Sequence, residues 1–398
     1  MKITRSLSLV ALITTCSFSA FANNSGHFNN TITKDWNGYR EKLYKDGVNL
    51  SSYYRVDSIY NDNGGKGQGG KFLDRFAIIA DLDGHKLVDV KGLTAHIAYY
   101  SNTGGAPDEF VGSLQGTDSM TAKKNKARFY EAFIQQNLME NKVSVLAGIR
   151  DIDNEFFYTP ASDLFIHEID DIDNVYPSSA SRTSIAPIST TLRVKVTPNE
   201  DYYIQTAIGD RNSKTDNYPG VSGFHHLAIA EAGVTPTYNS LKSRFAMGYW
   251  RYKDKFAKLG LAGEKNYQGF YLIADSQLYK EEGSSDQGLN GFIKAKFGAD
   301  NLVASNRTIN AGLVYKGLVP NRDNSTLGFA VMNTRLDAGY RRVVHNLKSH
   351  EATYELTYSD TILPWLIIQP DLQYIVNPSG TAGLKNATVI GLRLQAKI

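Results

Sequence analysis

Charged side chains recur in this chain at every second position within runs of aliphatic residues. In Leu192-Arg193-Val194-Lys195-Val196 two cations alternate with three aliphatics. The same spacing sets Arg150 apart from Val143, Val145 and Ile149, and Asp275 and Gln277 apart from Leu272, Ala274 and Leu278. Lys294 and Lys296 stand against Ile293, Ala295 and Phe297, and Arg75 and Asp81 against Phe76, Ile78 and Leu82. Glu351 and Glu355 face away from Ala352, Tyr354 and Leu356, as Arg393 does from Leu392 and Leu394. Charges on one face hold water, ions and polar solutes, whereas a dry core must pair or neutralise them. This inventory implies a water-filled interior.

Other chemistries find less support. Asp151, Asp153 and Glu155, with the acidic residues 168–173, offer oxygen ligands of the kind calcium takes, but their spacing matches no calcium loop. A solvated acidic loop is the simpler expectation. His225-His226 has no metal-like spacing to other histidines, and no Ser-His-carboxylate grouping stands out. Paired carboxylates beside aromatics occur in glycosidases, yet a wet interior needs paired charges anyway. The expectation is therefore no metal, no cofactor and no catalytic residue: not an enzyme. A formal net charge of +3, two of it in the first five residues, argues against a nucleic-acid binder.

The elements that must position these residues are strands, because only a period of two puts alternate side chains on opposite faces. Seventeen segments between residues 48 and 398 alternate in this way, among them residues 242–253, 256–264 and 269–279. The last three cover residues 351–358, 365–376 and 386–398. Turn chemistry such as Asn63-Gly64-Gly65, Asp83-Gly84 and Pro198-Asn199-Glu200 separates the strands. Single-chain bacterial barrels close with an even number of strands, so one of the seventeen is an error or one is missed.

Segments of about ten residues suit tilted strands crossing a bilayer. An Arg or Lys at mid-bilayer on the lipid face costs about 2–4 kcal/mol, so the cations point inward and the aliphatics outward. A soluble sandwich predicts the same alternation but must cover its apolar face with a second layer. The chain has little helix to supply one, though two sheets could bury each other. Abundant tyrosine (24) and glycine (34) fit a barrel with aromatic girdles and equally a β-rich soluble protein.

Residues 1–22 read as a signal peptide. Lys2 and Arg5 precede an apolar run, and Ala20-Phe21-Ala22 offers a cleavage site. Cys16, the sole cysteine, lies inside it, so a chain cleaved there has no disulfide. Residues 23–47 form a lead with a short amphipathic helix over residues 33–46, its face made by Ile32, Trp36, Tyr39 and Leu43. Residues 48–398 form the barrel. Two long stretches, residues 102–125 and 151–189, are candidates to fold into its lumen.

The run Trp365-Leu366-Ile367-Ile368-Gln369-Pro370-Asp371-Leu372-Gln373-Tyr374-Ile375-Val376-Asn377-Pro378 resembles the signature of the carbohydrate-selective porins, the outer-membrane sugar porins of the pseudomonad type. Trp36-Asn37-Gly38-Tyr39-Arg40, Leu114-Gln115-Gly116, Phe129-Tyr130-Glu131-Ala132-Phe133, Gly148-Ile149-Arg150-Asp151 and Tyr315-Lys316-Gly317-Leu318-Val319-Pro320 follow the family's order. The resemblance implies an all-β transmembrane antiparallel barrel of sixteen strands in the bacterial outer membrane. It implies passive diffusion of small glucose-like mono- and disaccharides, with loops narrowing the waist. Outer-membrane lipid and the barrel assembly machinery are the implied partners, and a homo-oligomer is left open. Such barrels usually end on Phe; the aliphatic Ile398 would weaken recognition by that machinery.

Sugar selectivity needs polar groups for hydroxyls and aromatic faces for the ring, held weakly enough for the solute to leave. The candidates for the polar part are Arg75, Glu131, Arg150, Arg193, Lys195, Asp275 and Arg393, with Trp250 for the aromatic part. A general or structural barrel without sugar selectivity, in which these are generic lumen residues, is the alternative. A carbohydrate-acting enzyme is a more distant one.

Overall fold

The computed structural model describes residues 27–121, 125–167, 188–210, 226–284 and 286–398. The proposed signal peptide, the acidic residues 168–173 and His225 lie outside them. Sixteen strands run β1 (Val48–Gly65), β2 (Gly69–Asp83), β3 (Leu93–Thr103), β4 (Lys126–Leu138), β5 (Val143–Asp151), β6 (Ile188–Asn199), β7 (Tyr202–Asp210) and β8 (His226–Val234). They continue as β9 (Leu241–Ala257), β10 (Glu264–Lys280), β11 (Gly288–Gly298), β12 (Ser305–Lys316), β13 (Thr326–Leu336), β14 (His350–Leu363), β15 (Leu366–Val376) and β16 (Lys385–Lys397). A two-residue piece, Thr237–Tyr238, pairs back on the start of β9.

Each strand pairs antiparallel with the next, and β16 returns to β1 with Asp57 opposite Arg393. The ring therefore closes and no edge is left for another chain to extend. Of the seventeen expected segments, residues 256–264 are not a strand. They hold the top of β9, a turn in which the Lys258 N–H donates to the Gly263 carbonyl, and the start of β10. Alternation survives across the turn because the two arms of one hairpin keep the same faces, which is why the pattern alone mistook it for an extra strand.

The faces fall as the cost argument requires. Leu192, Ile293, Leu356, Leu392 and Leu394 are exposed on the outer wall, while Arg193, Lys294, Glu355 and Arg393 are buried within. No helix among the described residues is long and apolar enough to cross a membrane; the crossing elements are strands. One rim carries mostly short turns, such as 139–142 and 200–201, and the other carries long loops. Barrels of this kind place short turns in the periplasm and long loops outside.

The lead segment is less helical than its apolar spacing suggests. Asn37 and Gly38 adopt left-handed φ of 56° and 90°, confining the helix to α1 (Tyr39–Lys45). Ile32, Trp36 and Tyr39 stay exposed, and within the helix the buried residue is Arg40. Its guanidinium donates to the Leu50 carbonyl at 2.8 and 3.1 Å and lies 4.6 Å over the Phe28 ring. The segment is thus tied to β1 through a cation rather than through an apolar stripe.

Two outer loops turn inward. The first passes through α2 (Asp108–Val111) and continues to Thr121; the second runs from Ile152 to His167. Buried carboxylates on the inner wall hold them. Glu351 accepts from the Leu114 and Gln115 N–H groups at 2.6 and 3.0 Å, and Glu355 from the Ile166 N–H at 2.6 Å. Amides do the complementary work: Gln369 donates to the Leu164 carbonyl and Gln373 to the Thr117 carbonyl. A loop brought into a barrel must have its backbone groups satisfied, and charged acceptors do this with short, strong bonds.

Candidate functional site

The inner wall of β1–β4 carries a belt of arginine and tyrosine. Cross-strand register lines up Gln395, Arg55, Arg75 and Asn102 on four adjacent strands. Arg55 donates to the Gln395 side-chain carbonyl from Nε at 2.8 Å and Nη2 at 2.5 Å, and Arg75 donates to Asn102 at 2.9 Å. Arg55 and Arg75 are directly opposite, an unfavourable like-charge pair, and the residues flanking them are neutral amides. Positive charge and donor capacity are left facing the lumen.

The aromatic component lies beside them. The Tyr100 and Tyr130 rings stack at 4.5 Å and 14°, and Tyr53 meets Tyr100 edge-on at 6.4 Å. Arg75 lies 5.0 Å over Tyr100, and Arg55 5.3 Å over Tyr53. Ala77, opposite both Tyr53 and Tyr100, leaves room for the rings to approach. Guanidinium donors next to ring faces meet the requirements of a sugar, whose hydroxyls need hydrogen bonds and whose C–H face needs an apolar partner.

The opposing side is the second loop, fastened to β6–β12. Arg193 grips Glu155 through Nε and Nη2, both at 2.9 Å, and Gln205 donates to the Glu155 carbonyl at 3.0 Å. Lys294 reaches the Phe157 carbonyl at 3.2 Å, while Arg244, paired to Asp275 at 2.7 Å, also bonds the Tyr158 carbonyl. Burial pushes the Glu155 carboxyl up, but the guanidiniums of Arg150 and Arg193 outweigh it and hold it below the usual range. Asp118, in the first loop, goes the other way: burial beside the Asp57 carboxylate pushes it well above the usual range.

Facing the lumen from the second loop is Asp163, exposed to water and accepting a hydrogen bond from the Tyr158 hydroxyl. It is nonetheless ringed by protein, and that desolvation pushes its carboxyl up to about 6 against the opposing pull of Tyr158, Lys294 and Arg55.

The eight residues singled out from sequence all point inward, to different surroundings. Arg75 belongs to the belt. Lys195 is partly buried over the Tyr203 ring at 4.9 Å, and Asp275 is held by Arg244. Glu131 and Arg150 form a buried pair at 2.7 Å, extended by His96 to Asp81. Arg193 clasps the loop, and Arg393 pairs with buried Asp57 through two bonds of 2.8 and 2.7 Å. Trp250 has no exposed surface. It stacks on Tyr271 in a cluster with Phe156 and Phe157, with Tyr271 over Gly248 and Trp250 over Gly269. A Cβ on Gly269 would stand 2.3 Å from the Trp250 ring, so the indole lies flat on the wall only because that position is glycine.

Tyr53, Arg55, Tyr100, Tyr130 and Asp163 were not singled out from sequence. Tyr53, Arg55 and Asp57 alternate along β1 as clearly as Arg193 and Lys195 do along β6, so a signal was present. Asp151 and Glu155 are committed to Tyr130 and Arg193, and no group of three candidate ligands suited to a metal occurs among the described residues.

A closed sixteen-stranded barrel with a lipid-facing outer wall, a polar interior and loops folded into its waist defines an outer-membrane porin. The family described as carbohydrate-selective porin, OprB family, matches residues 68–397, and the chain belongs to it. It is 22% identical to Porin B of Pseudomonas aeruginosa over 91% of this chain and 90% of that one. In fold it is similar to the high-pH structure of Pseudomonas putida OprB, with a TM-score of 0.82 at 19% identity over 95% of this chain and 100% of that one. The low-pH structure of the same protein gives 0.61 at 20% identity, over 93% and 98% of the two chains. The chain is a sugar-selective porin of the bacterial outer membrane.

Proposed function

We propose that the chain passes small glucose-like mono- and disaccharides into the periplasm between the β1–β4 belt and Asp163. The observation that carries this reading is the stacked Tyr100–Tyr130 pair beside Arg55 and Arg75, whose guanidiniums are bonded to amides rather than to carboxylates. An arginine neutralised by a carboxylate offers a solute little. One held in place by neutral partners is positioned and still has N–H groups to give. Binding stays shallow because the belt covers one side of a ring and water the other, as passage through a channel requires.

In this reading Arg75, Lys195 and Asp275 touch the pathway, whereas Glu131, Arg150, Arg193, Arg393 and Trp250 build the wall and hold the loop. The outer-membrane setting and the wet lumen favour passive diffusion over catalysis. Planar-bilayer recording tests the proposal. Glucose or maltose added to either side should reduce the conductance reversibly at millimolar concentration, and Arg55→Gln with Arg75→Gln should raise the sugar concentration needed by roughly ten-fold or more. Conductance indifferent to both sugars would leave a general barrel without sugar selectivity.

A further inference from the structure

The outer wall carries a second ordered row, separate from the lumen. Across β9 to β14, six outward positions are cross-strand neighbours in succession: Tyr249, Phe270, Phe297, Arg307, Arg335 and His350. The first three are aromatic, with Phe270 and Phe297 stacked at 4.9 Å and 20°. The next two are arginines, both exposed. Barrel strands tilt about 35–45° from the membrane normal, so a row perpendicular to them climbs as it goes round. Its aromatic end lies at the girdle, and its basic end, one or two residues from the loop-bearing ends of β12 and β13, lies above it. Arg251 and Lys253, two and four residues above Tyr249 on β9, are exposed on the same outer side.

Two physical features mark this basic end. Arg307 and Arg335 are directly opposed in an antiparallel pair, where their Cβ atoms are about 5 Å apart and like charges repel. The pairs on either side of them, Phe297–Arg307 and Arg335–His350, bring no carboxylate to relieve it. The inner wall has one such pair, Arg55 opposite Arg75, and flanks it with the amides of Gln395 and Asn102; the outer pair is flanked by Phe297 and His350 at the height where a headgroup begins.

We infer that this patch docks a phosphorylated glycolipid headgroup of the outer leaflet, with its acyl chains along the Phe270–Phe297 stack and its phosphate between Arg307 and Arg335. Guanidinium forks match phosphate oxygens two at a time, which a point charge does not. Clustered Lys and Arg at a membrane surface bind anionic headgroups, and the aromatic-to-basic order of the row follows the apolar-to-anionic order of such a lipid. The site has no part in the sugar pathway and stands whether or not the belt selects sugars.

The test uses the purified full-length barrel in neutral detergent, with binding of bis-phosphorylated lipid A followed by native mass spectrometry. The wild-type protein should retain lipid A at least ten-fold more tightly than lipid A stripped of its phosphates, and the preference should shrink as salt rises. Arg307→Gln with Arg335→Gln should remove the preference while leaving single-channel conductance intact. Equal binding of phosphorylated and dephosphorylated lipid A by the wild-type protein overturns the inference, and this arm needs no variant to fold. Retained preference in a folded double variant overturns it too.

Discussion

The two sides of the lumen use the same residue types to opposite ends. On the β1–β4 side, Arg55 and Arg75 bond to Gln395 and Asn102 and keep their charge available to the passage. On the β6–β12 side, Arg193 is spent on Glu155, while Lys294 and Arg244 bond the backbone of the inward loop. One wall presents its cations to the solute and the other uses them to hold a piece of chain in place. What an inward charge does is decided by its partner, carboxylate and carbonyl on one side, amide on the other. The difference can be broken from either direction.

Undoing the fastened wall should have the largest effect. Arg193→Ala leaves buried Glu155 with only the Arg150 guanidinium, 4.0 Å away, a loss approaching the ~3–5 kcal/mol of a broken buried pair. The loop then leaves the waist. Single-channel conductance should rise, its reduction by sugar should fall, and the folded barrel should dissociate at lower temperature on a heated gel. Glu155→Gln keeps the shape and part of the hydrogen bonding, so its defect should be milder. Equal conductance in both variants and the wild type would mean the loop is held elsewhere, with Glu355 the next candidate.

Changing the open wall should alter passage without altering the fold. Arg55→Gln with Arg75→Gln removes a like-charge contact as well as donors, so heat stability should stay within about 1 kcal/mol of wild type. A hydrogen bond from a charged donor contributes about 1.5–3 kcal/mol, so loss of one to sugar weakens binding by roughly ten-fold or more. Sugar titrations of the conductance read that shift, and reversal potentials should show reduced anion preference. A double variant that loses stability as Arg193→Ala does would erase the distinction between the walls.

How much of this was legible in the sequence follows from the same contrast. Alternation gave the direction of side chains along the regular strands correctly, because an error would put Arg193 or Lys294 in lipid; across the bulge of β4 it breaks, with Phe129 outward and Glu131 inward. It failed at residues 256–264, where a hairpin turn preserves the period without making a new strand. It also could not separate Arg75 from Arg150, since both are inward arginines on alternating strands. One meets Asn102 across a strand pair and the other meets Glu131, and which partner faces which depends on register. Register here includes irregularities, such as the shift between Ala98 and Tyr99 against β4, that no local pattern announces. Trp250 misled for a related reason: the loop that buries it, carrying Phe156 and Phe157, is close in space and ninety-odd residues away in sequence. Asp163 was invisible because a loop has no period to read.

The smallest expected effect is also the most specific to the contrast, because Asp163 is the point at which the fastened loop faces the open wall. Its carboxyl is pushed up to about 6. Below that value it is neutral and the belt's positive charge dominates the waist; above it, an anion opposes Arg55. Anion preference should therefore decline as pH rises from 5 to 7, and Asp163→Asn should hold it at the low-pH level throughout. The linkage to stability has the same sign. A carboxyl raised above its unfolded value binds its proton more tightly when folded, so its contribution is present at low pH and is lost as pH rises through about 6. Water reaches this side chain, so the stability change should be slight and the selectivity change the better reading. Reversal potentials in a salt gradient at pH 5 and pH 7, for wild type and Asp163→Asn, decide it. A pH response that persists unchanged in the variant would assign the titration to another group and leave Asp163 without influence on the passage.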